Sequence, residues 1–411
     1  MFDLAEAGSL GFDAGRLERI PEFLKQTYID NGRLPNAQLV VARGGRPVHY
    51  TRLGAMGEDG RDLSDDALFR IASMTKPVTS IAFMQLVERC EVALEDPVTK
   101  VFPEFADLEV YAGGGGSIPF APGVPASPMR FVDLLTHMSG FTYGLQNRNN
   151  LDAAYREHNF DFARDHLDSD EFVGRLSKLP LEFAPGQGWN YSVSTDVLGI
   201  AVERISGMRL GEYFEKHIFA PLGMTDTRFG VKEADLDRLV DAYAYRPGQS
   251  PRMISAGMTS KLAQPGTFDS GGGGLVGSIA DYHRFATMLL NGGALDGARI
   301  VSPKTLRLMR TNHLPNNADL TEMSSSLFSE ANNAGTGFGL GFAMVIDPAK
   351  TLMPSSLGEF YWGGAYSTAF FVDPVEQITC VFMTQVYPSS TYPIRRQLKT
   401  LIYSALTETY A

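Results

Sequence analysis

The run Ile71-Ala72-Ser73-Met74-Thr75-Lys76-Pro77-Val78 sets a serine three residues ahead of a lysine, where a strand-like segment meets a helix. On a helix, side chains at i and i+3 share one face, so the Ser73 hydroxyl and the Lys76 amine come within hydrogen-bonding reach. An uncharged lysine amine is a base for that hydroxyl, and lysine is shifted toward neutrality by burial more readily than arginine. Pro77 has no N–H and fits among the first helical residues, whose donors lack intrahelical partners. Ser73 therefore belongs at the helix's N-terminal lip, where free N–H groups favour negative charge developing in acyl transfer. Alone, Ser-x-x-Lys is a weak signal, and a capping serine beside a solvated lysine is the simpler reading.

Two further stretches add chemistry. In Gly188-Trp189-Asn190-Tyr191-Ser192-Val193, Tyr191 stands just before a helix for which Ser194 is the expected cap, at a junction where a phenol can face a cleft. In Phe360-Tyr361-Trp362-Gly363-Gly364-Ala365-Tyr366-Ser367, the two glycines allow backbone amides to approach a ligand closely, a source of oxyanion donors. The glycine runs at 113–116 and 271–274 lack the spacing of a phosphate cradle and read as flexible loop or close backbone packing. Histidines are few and unclustered, so neither a metal nor a cofactor is expected.

The elements that must position these residues follow from periodicity. Asp13 caps an amphipathic helix with Leu17, Ile20, Leu24 and Tyr28 on one face. A hairpin follows, residues 38–43 and 47–51 turning through Gly44-Gly45. Helical patterns dominate residues 80–270, at 80–87, 131–136, 171–179, 195–205 and 210–218. Strands return at 342–346, 369–372 and 379–383, before a last helix at 394–403. The fold class expected is α+β: an antiparallel sheet built from both ends of the chain, flanked by N- and C-terminal helices. Residues 1–79 and 271–411 form this sheet domain, 80–270 an inserted, mainly helical domain, with the active site between them.

The chain has 411 residues and a formal net charge of −11, with acidic residues spread throughout, which argues against nucleic acid or an anionic membrane surface as partner. Cys90 and Cys380 are too few for a disulfide framework. No segment approaches membrane-spanning length and the N-terminus has no basic and apolar leader pattern, so the expected location is cytoplasmic.

Together these segments resemble the serine β-lactamase and penicillin-binding-protein superfamily, in particular the class C β-lactamase-like esterases called family VIII carboxylesterases. The likeness spans nearly the whole chain. Beyond Ser73 and Lys76 it includes Leu134-Leu135-Thr136-His137-Met138-Ser139-Gly140, Pro185-Gly186 ahead of Tyr191-Ser192, residues 272–282, and Trp362-Gly363-Gly364. The resemblance implies a serine β-lactamase-like fold with Ser73 as nucleophile and Lys76 as its base. Tyr191 would protonate the leaving alkoxide and later activate water, and the backbone N–H groups of Ser73 and Ala365 would form the oxyanion hole. Trp362, Gly363, Gly364, Phe141, Tyr143 and Trp189 are the expected substrate-binding wall, with Phe120 a further aromatic candidate. His137 falls in a structural segment rather than the proton relay. Where penicillin-recognising relatives have Lys-Thr-Gly, this chain has Trp362-Gly363-Gly364, and Val193 replaces the asparagine of Tyr-x-Asn. Loss of that cation and amide favours neutral esters. The implied activity is hydrolysis of short-chain or activated carboxylic esters through an acyl-serine, with weak β-lactamase activity at most. The alternatives are acyl transfer to an alcohol and a penicillin-binding module.

Overall fold

The computed structural model describes residues 2–324 and 333–410. Its main sheet has seven strands, in the order Thr336–Phe338, Ala343–Val345, Phe360–Gly363, Ala369–Asp373, Ile378–Met383, Asn36–Arg43 and Arg46–Gly54. Every neighbouring pair is antiparallel. Gly44 and Gly45 turn the hairpin with φ of 59° and 76°, the positive values that a tight turn between right-twisted strands demands. The first strand then pairs with a strand from the far end of the chain, Val40 lying opposite Val381.

Both central strands are buried on both faces, and alternate residues feed two different cores. Leu39, Val41, Phe371, Cys380 and Phe382 point one way, onto Leu17, Ile20 and Leu24 of the N-terminal helical segment and Leu398 and Ile402 of the C-terminal helix Ile394–Ser404. Val40, Phe370, Val372 and Val381 point the other way, onto Tyr282 and Phe285 of the helix Ile279–Leu290 and into the larger helical core. This is the layered α+β arrangement that the chain's periodicity predicts, with both cysteines free. Asp13 caps the N-terminal segment as expected, its side chain accepting from the Arg16 N–H at 2.9 Å. That segment is stepped, with α-helix over Ala14–Leu17 and Arg19–Leu24 and a π-helical turn over Lys25–Ile29.

Residues between the sheet's two contributions are mostly helical, but they also hold strands of two to four residues, too short to show a period. Arg228–Phe229 joins Leu275–Ser278 and Leu68–Arg70 in a small second sheet. That sheet fixes the approach to Ser73, since Arg70 pairs with Val276 just beyond the glycine run at 271–274. The helix expected over 80–87 belongs to a longer one, Thr75–Glu88, with twelve buried residues; an apolar surface on all sides is the mark of a helix inside a core. It packs on the helix Ser194–Ser206. Ser194 is not the cap: Val193 occupies that position, and the Ser194 hydroxyl is engaged by Ser139 and Ser192, each at 2.7 Å. Among the described residues no helix is long and apolar enough to cross a membrane.

Leu398 is 3% exposed and anchors the C-terminal helix on the sheet. Leu398→Ala is expected to cost about 2–5 kcal/mol, the range for emptying a leucine-sized site in a core. A lowered midpoint in a urea titration followed by circular dichroism checks this; a change within error would show that this interface contributes little.

Candidate active site

Ser73 lies in a single 3-10 turn, Ala72–Met74, that runs directly into the helix Thr75–Glu88. Ala72 has φ of 46°, a left-handed conformation that costs a non-glycine residue about 1 kcal/mol or more and is held here by the surrounding packing. One turn later Lys76 is 2% exposed, and its Nζ lies 3.3 Å from Ser73 Oγ. The same nitrogen donates to the Gly272 carbonyl at 2.6 Å and to the Tyr143 hydroxyl at 3.1 Å. The i, i+3 spacing thus brings the pair together, and the glycine run meets the lysine from the opposite side.

Behind this contact is a carboxylate that the sequence reading did not single out. Asp196 is buried on the helix Ser194–Ser206 and accepts from Ser270 Oγ at 2.5 Å, from the Gly272 N–H at 3.0 Å and from Tyr143 OH at 3.4 Å. Burial raises its pKa, and the charge of Lys76 opposes that shift. Lys76 and Asp196 are therefore joined twice, through the Tyr143 hydroxyl and through the two ends of Gly272. A Cβ at Gly272 would stand 2.3 Å from Asp196 Oδ2, and one at Gly271 would stand 2.7 Å from the Thr195 carbonyl. The run at 271–274 is close backbone packing, one of the two readings its sequence allows. A signal for Asp196 was present: it is the one charged residue in the stretch 193–202.

Two phenols flank Lys76 in different ways. Tyr143, expected in the binding wall, is hydrogen-bonded to the lysine, and burial together with Asp196 holds its pKa well above the usual phenol value, so it keeps its proton. Tyr191 presents its ring face instead, with Nζ 4.6 Å from the centroid, and its hydroxyl has no hydrogen-bond partner among the described residues. Its ring is wedged between His137, Tyr143 and Trp362, with centroids 5.0, 5.2 and 5.5 Å away. His137 is buried and its Nδ1 lies 3.2 Å from Ser192 Oγ; burial and the Lys76 charge push its pKa well down, so it is a neutral buttress for Tyr191.

A cavity opens on Ser73, walled by Tyr143, Trp189, Tyr191, Trp362 and the turn 363–365. Phe141 does not reach it. Its side chain is 1% exposed and packs on Phe105, with ring centroids 5.5 Å apart, because the Ser139-Gly140 turn directs it into the helical core. Phe120 is likewise outside the cavity wall, its ring against Tyr111. Gly363 and Gly364 line the cavity, yet what requires glycine there is protein rather than ligand. A Cβ on Gly363 would lie 2.5 Å from the Arg395 guanidinium, and one on Gly364 would lie 2.2 Å from Thr368 Oγ1 and 2.4 Å from the Ile71 carbonyl. Arg395, from the C-terminal helix, donates to the carbonyls of Gly364 and Thr368 at 2.9 and 3.0 Å and braces the turn. That turn is thereby held against the Ile71–Ser73 segment, and the N–H groups of Ser73 and Ala365 have no internal acceptor among the described residues. No group of three or more metal-ligating side chains occurs among the described residues.

The beta-lactamase family model matches residues 22–403, so the chain belongs to that family. Within this superfamily of serine hydrolases it falls with the family VIII esterases. Esterase EstB of Burkholderia gladioli is 32% identical over 394 residues, covering 90% of this chain and 91% of that protein. Protein Rv1367c of Mycobacterium tuberculosis is 36% identical over 364 residues, covering 87% and 88%. Among solved structures, EstCE1, described as a hydrolase with promiscuous acyltransferase activity, superposes with a TM-score of 0.77 at 26% identity, covering 96% of this chain and 99% of that one.

Gly272→Ala tests the packing around Lys76. The added methyl meets a carboxylate already fixed by three donors, so a loss of about 1–3 kcal/mol is expected, as for other overpacked core positions. A thermal midpoint equal to that of the unsubstituted protein would show that Asp196 yields freely.

Proposed function

We propose that the protein is a serine carboxylesterase that hydrolyses short-chain or activated esters through an acyl-serine intermediate. The observation that carries this reading is the surround of Lys76 Nζ, which faces three oxygens: Gly272 O, Tyr143 OH and Ser73 Oγ. An ammonium has three N–H donors and an amine two plus a lone pair. With two donors engaged by Gly272 and Tyr143, the third direction points at Ser73, where an amine accepts the serine proton and the resulting ammonium donates back. Both protonation states are accommodated without moving a heavy atom, which suits a base that must be reset in every cycle.

Acylation then proceeds by attack of Ser73 Oγ on the ester carbonyl. The unengaged N–H groups of Ser73 and Ala365 support an oxyanion hole, an arrangement in which each donor is worth about 10²–10³ in rate. Tyr191 is assigned the proton transfer to the leaving alkoxide and the activation of the deacylating water. Tyr143 is unsuited to that task because its proton is held by a carboxylate, whereas the Tyr191 hydroxyl is free and borders the cavity. Splitting the reaction at the acyl-serine replaces one difficult step by two easier ones. Val193 is fully buried, so it offers nothing to a β-lactam amide, which supports esters over lactams.

Acyl transfer to an alcohol is the second reading, favoured by the activity named for EstCE1. The same acyl-serine serves both, and the outcome depends on whether a bound alcohol outcompetes water.

With p-nitrophenyl butyrate, Ser73→Ala is expected to abolish turnover while leaving the circular dichroism spectrum intact; activity that survives it would defeat the mechanism. Tyr191→Phe is expected to lower kcat by two or more orders of magnitude, and Tyr143→Phe to lower it less. The reverse ranking would transfer the acid–base role to Tyr143. Product analysis with added methanol separates hydrolysis from transfer.

A further inference from the structure

We infer that the cavity contains an anion subsite centred on Arg70, so that the preferred esters bear a carboxylate away from the scissile bond. This inference rests on the acyl-serine reading of the same cavity and narrows its substrate class. It also reverses the preference for neutral esters expected from the missing Lys-Thr-Gly cation, because a cation is present at another place in the wall.

Arg70 lies three residues before Ser73, at the end of the strand Leu68–Arg70, and lines the cavity. It is 8% exposed. A guanidinium so far removed from water is normally met by a carboxylate. Here no carboxylate lies within ion-pair distance among the described residues. Its hydrogen-bond acceptors are neutral: the Val240 carbonyl at 2.8 Å, Ser255 Oγ at 3.1 Å and Ser260 Oγ at 3.5 Å. The charges of Asp241 and Tyr366 act on it only at longer range. Five N–H donors against three neutral acceptors leave two without a protein partner. Ser255, Ser260 and Tyr366 line the cavity beside Arg70, so hydroxyl groups surround the cation on the cavity side.

A second cation stands on the same wall. Lys261 is exposed, lines the cavity next to Ser260, and forms no ion pair among the described residues. The chain's formal net charge is −11, yet two cations without ion-pair partners face one side of its cavity. Asp161 and Asp165 also line the cavity, so the attraction for an anion is confined to the Arg70 and Lys261 side of the wall. The planar guanidinium fork matches a carboxylate, and the serine hydroxyls can donate to it once it binds.

The test compares esters that differ only in a distal charge. For the acyl side the pair is p-nitrophenyl butyrate and mono-p-nitrophenyl glutarate; for the alcohol side it is phenyl butyrate and 4-butyryloxybenzoate. The expected result is a kcat/KM at least tenfold higher for the anionic member of one pair, and binding of glutarate visible as a thermal shift. In Arg70→Gln that ratio is expected to fall roughly ten- to a hundredfold, the effect of losing a charge-assisted contact. Equal rates within both pairs, or a ratio unmoved by Arg70→Gln, would overturn the inference. Should Arg70→Gln not fold, Arg70→Lys and Lys261→Gln decide: an anion preference lowered by Arg70→Lys and kept in Lys261→Gln supports Arg70, whereas one kept in Arg70→Lys or abolished by Lys261→Gln overturns the assignment. Absence of any ester turnover in the unsubstituted protein would instead defeat the acyl-serine reading, and the glutarate thermal shift would still report on the subsite.

Discussion

A lysine nitrogen withdrawn from water must be met by oxygens, and much of the site's architecture serves that need at Lys76. The Gly272 carbonyl, the Tyr143 hydroxyl and the Ser73 hydroxyl come from three separate stretches of chain, and Gly272 and Tyr143 are each held in addition by Asp196. Gly272 is glycine because Asp196 lies against its Cα. Asp196 in turn is fixed by Ser270, Gly272 and Tyr143. Removing any one of these strips a buried charged group of one of its hydrogen bonds, a cost of about 1.5–3 kcal/mol.

The same logic extends to the turn 363–365 on the other side of Ser73. Arg395 reaches from the C-terminal helix under the sheet to the Gly364 and Thr368 carbonyls, so the helix that closes one core also braces the turn bordering the cavity. Packing and chemistry therefore share residues. The left-handed Ala72 is part of this economy: the chain bends sharply there to set Ser73 at a helix start, with the Ile71 carbonyl left to accept from Thr368.

Much of this was legible in the chain. Apolar runs and the Gly44-Gly45 turn placed strands at both ends, and the Ser73-x-x-Lys76 spacing brought those two side chains together. What local pattern could not supply was partnership across long sequence separations. Ser194 has the type of a cap but is captured by Ser139. Gly363 and Gly364 read as room for a ligand, whereas Arg395 and Ile71 fill that room. Phe141 and Tyr143 are two residues apart and look equivalent as aromatic wall, yet one faces the core and the other Lys76. Asp196 is marked in the sequence only as the one charge in the stretch 193–202; its place in the site depends on Gly272, which no periodicity links to it.

The pairing of Asn36–Arg43 with Ile378–Met383 also bears on how the molecule is made. At ribosomal rates of roughly 5–20 residues per second, the early hairpin waits on the order of tens of seconds before its central neighbour is synthesised. During that interval a strand that is fully buried in the finished molecule has an open edge, which is a hazard for self-association. The helical segment is complete well before the last strands emerge, so the order of synthesis supplies the middle of the chain before its central sheet can close.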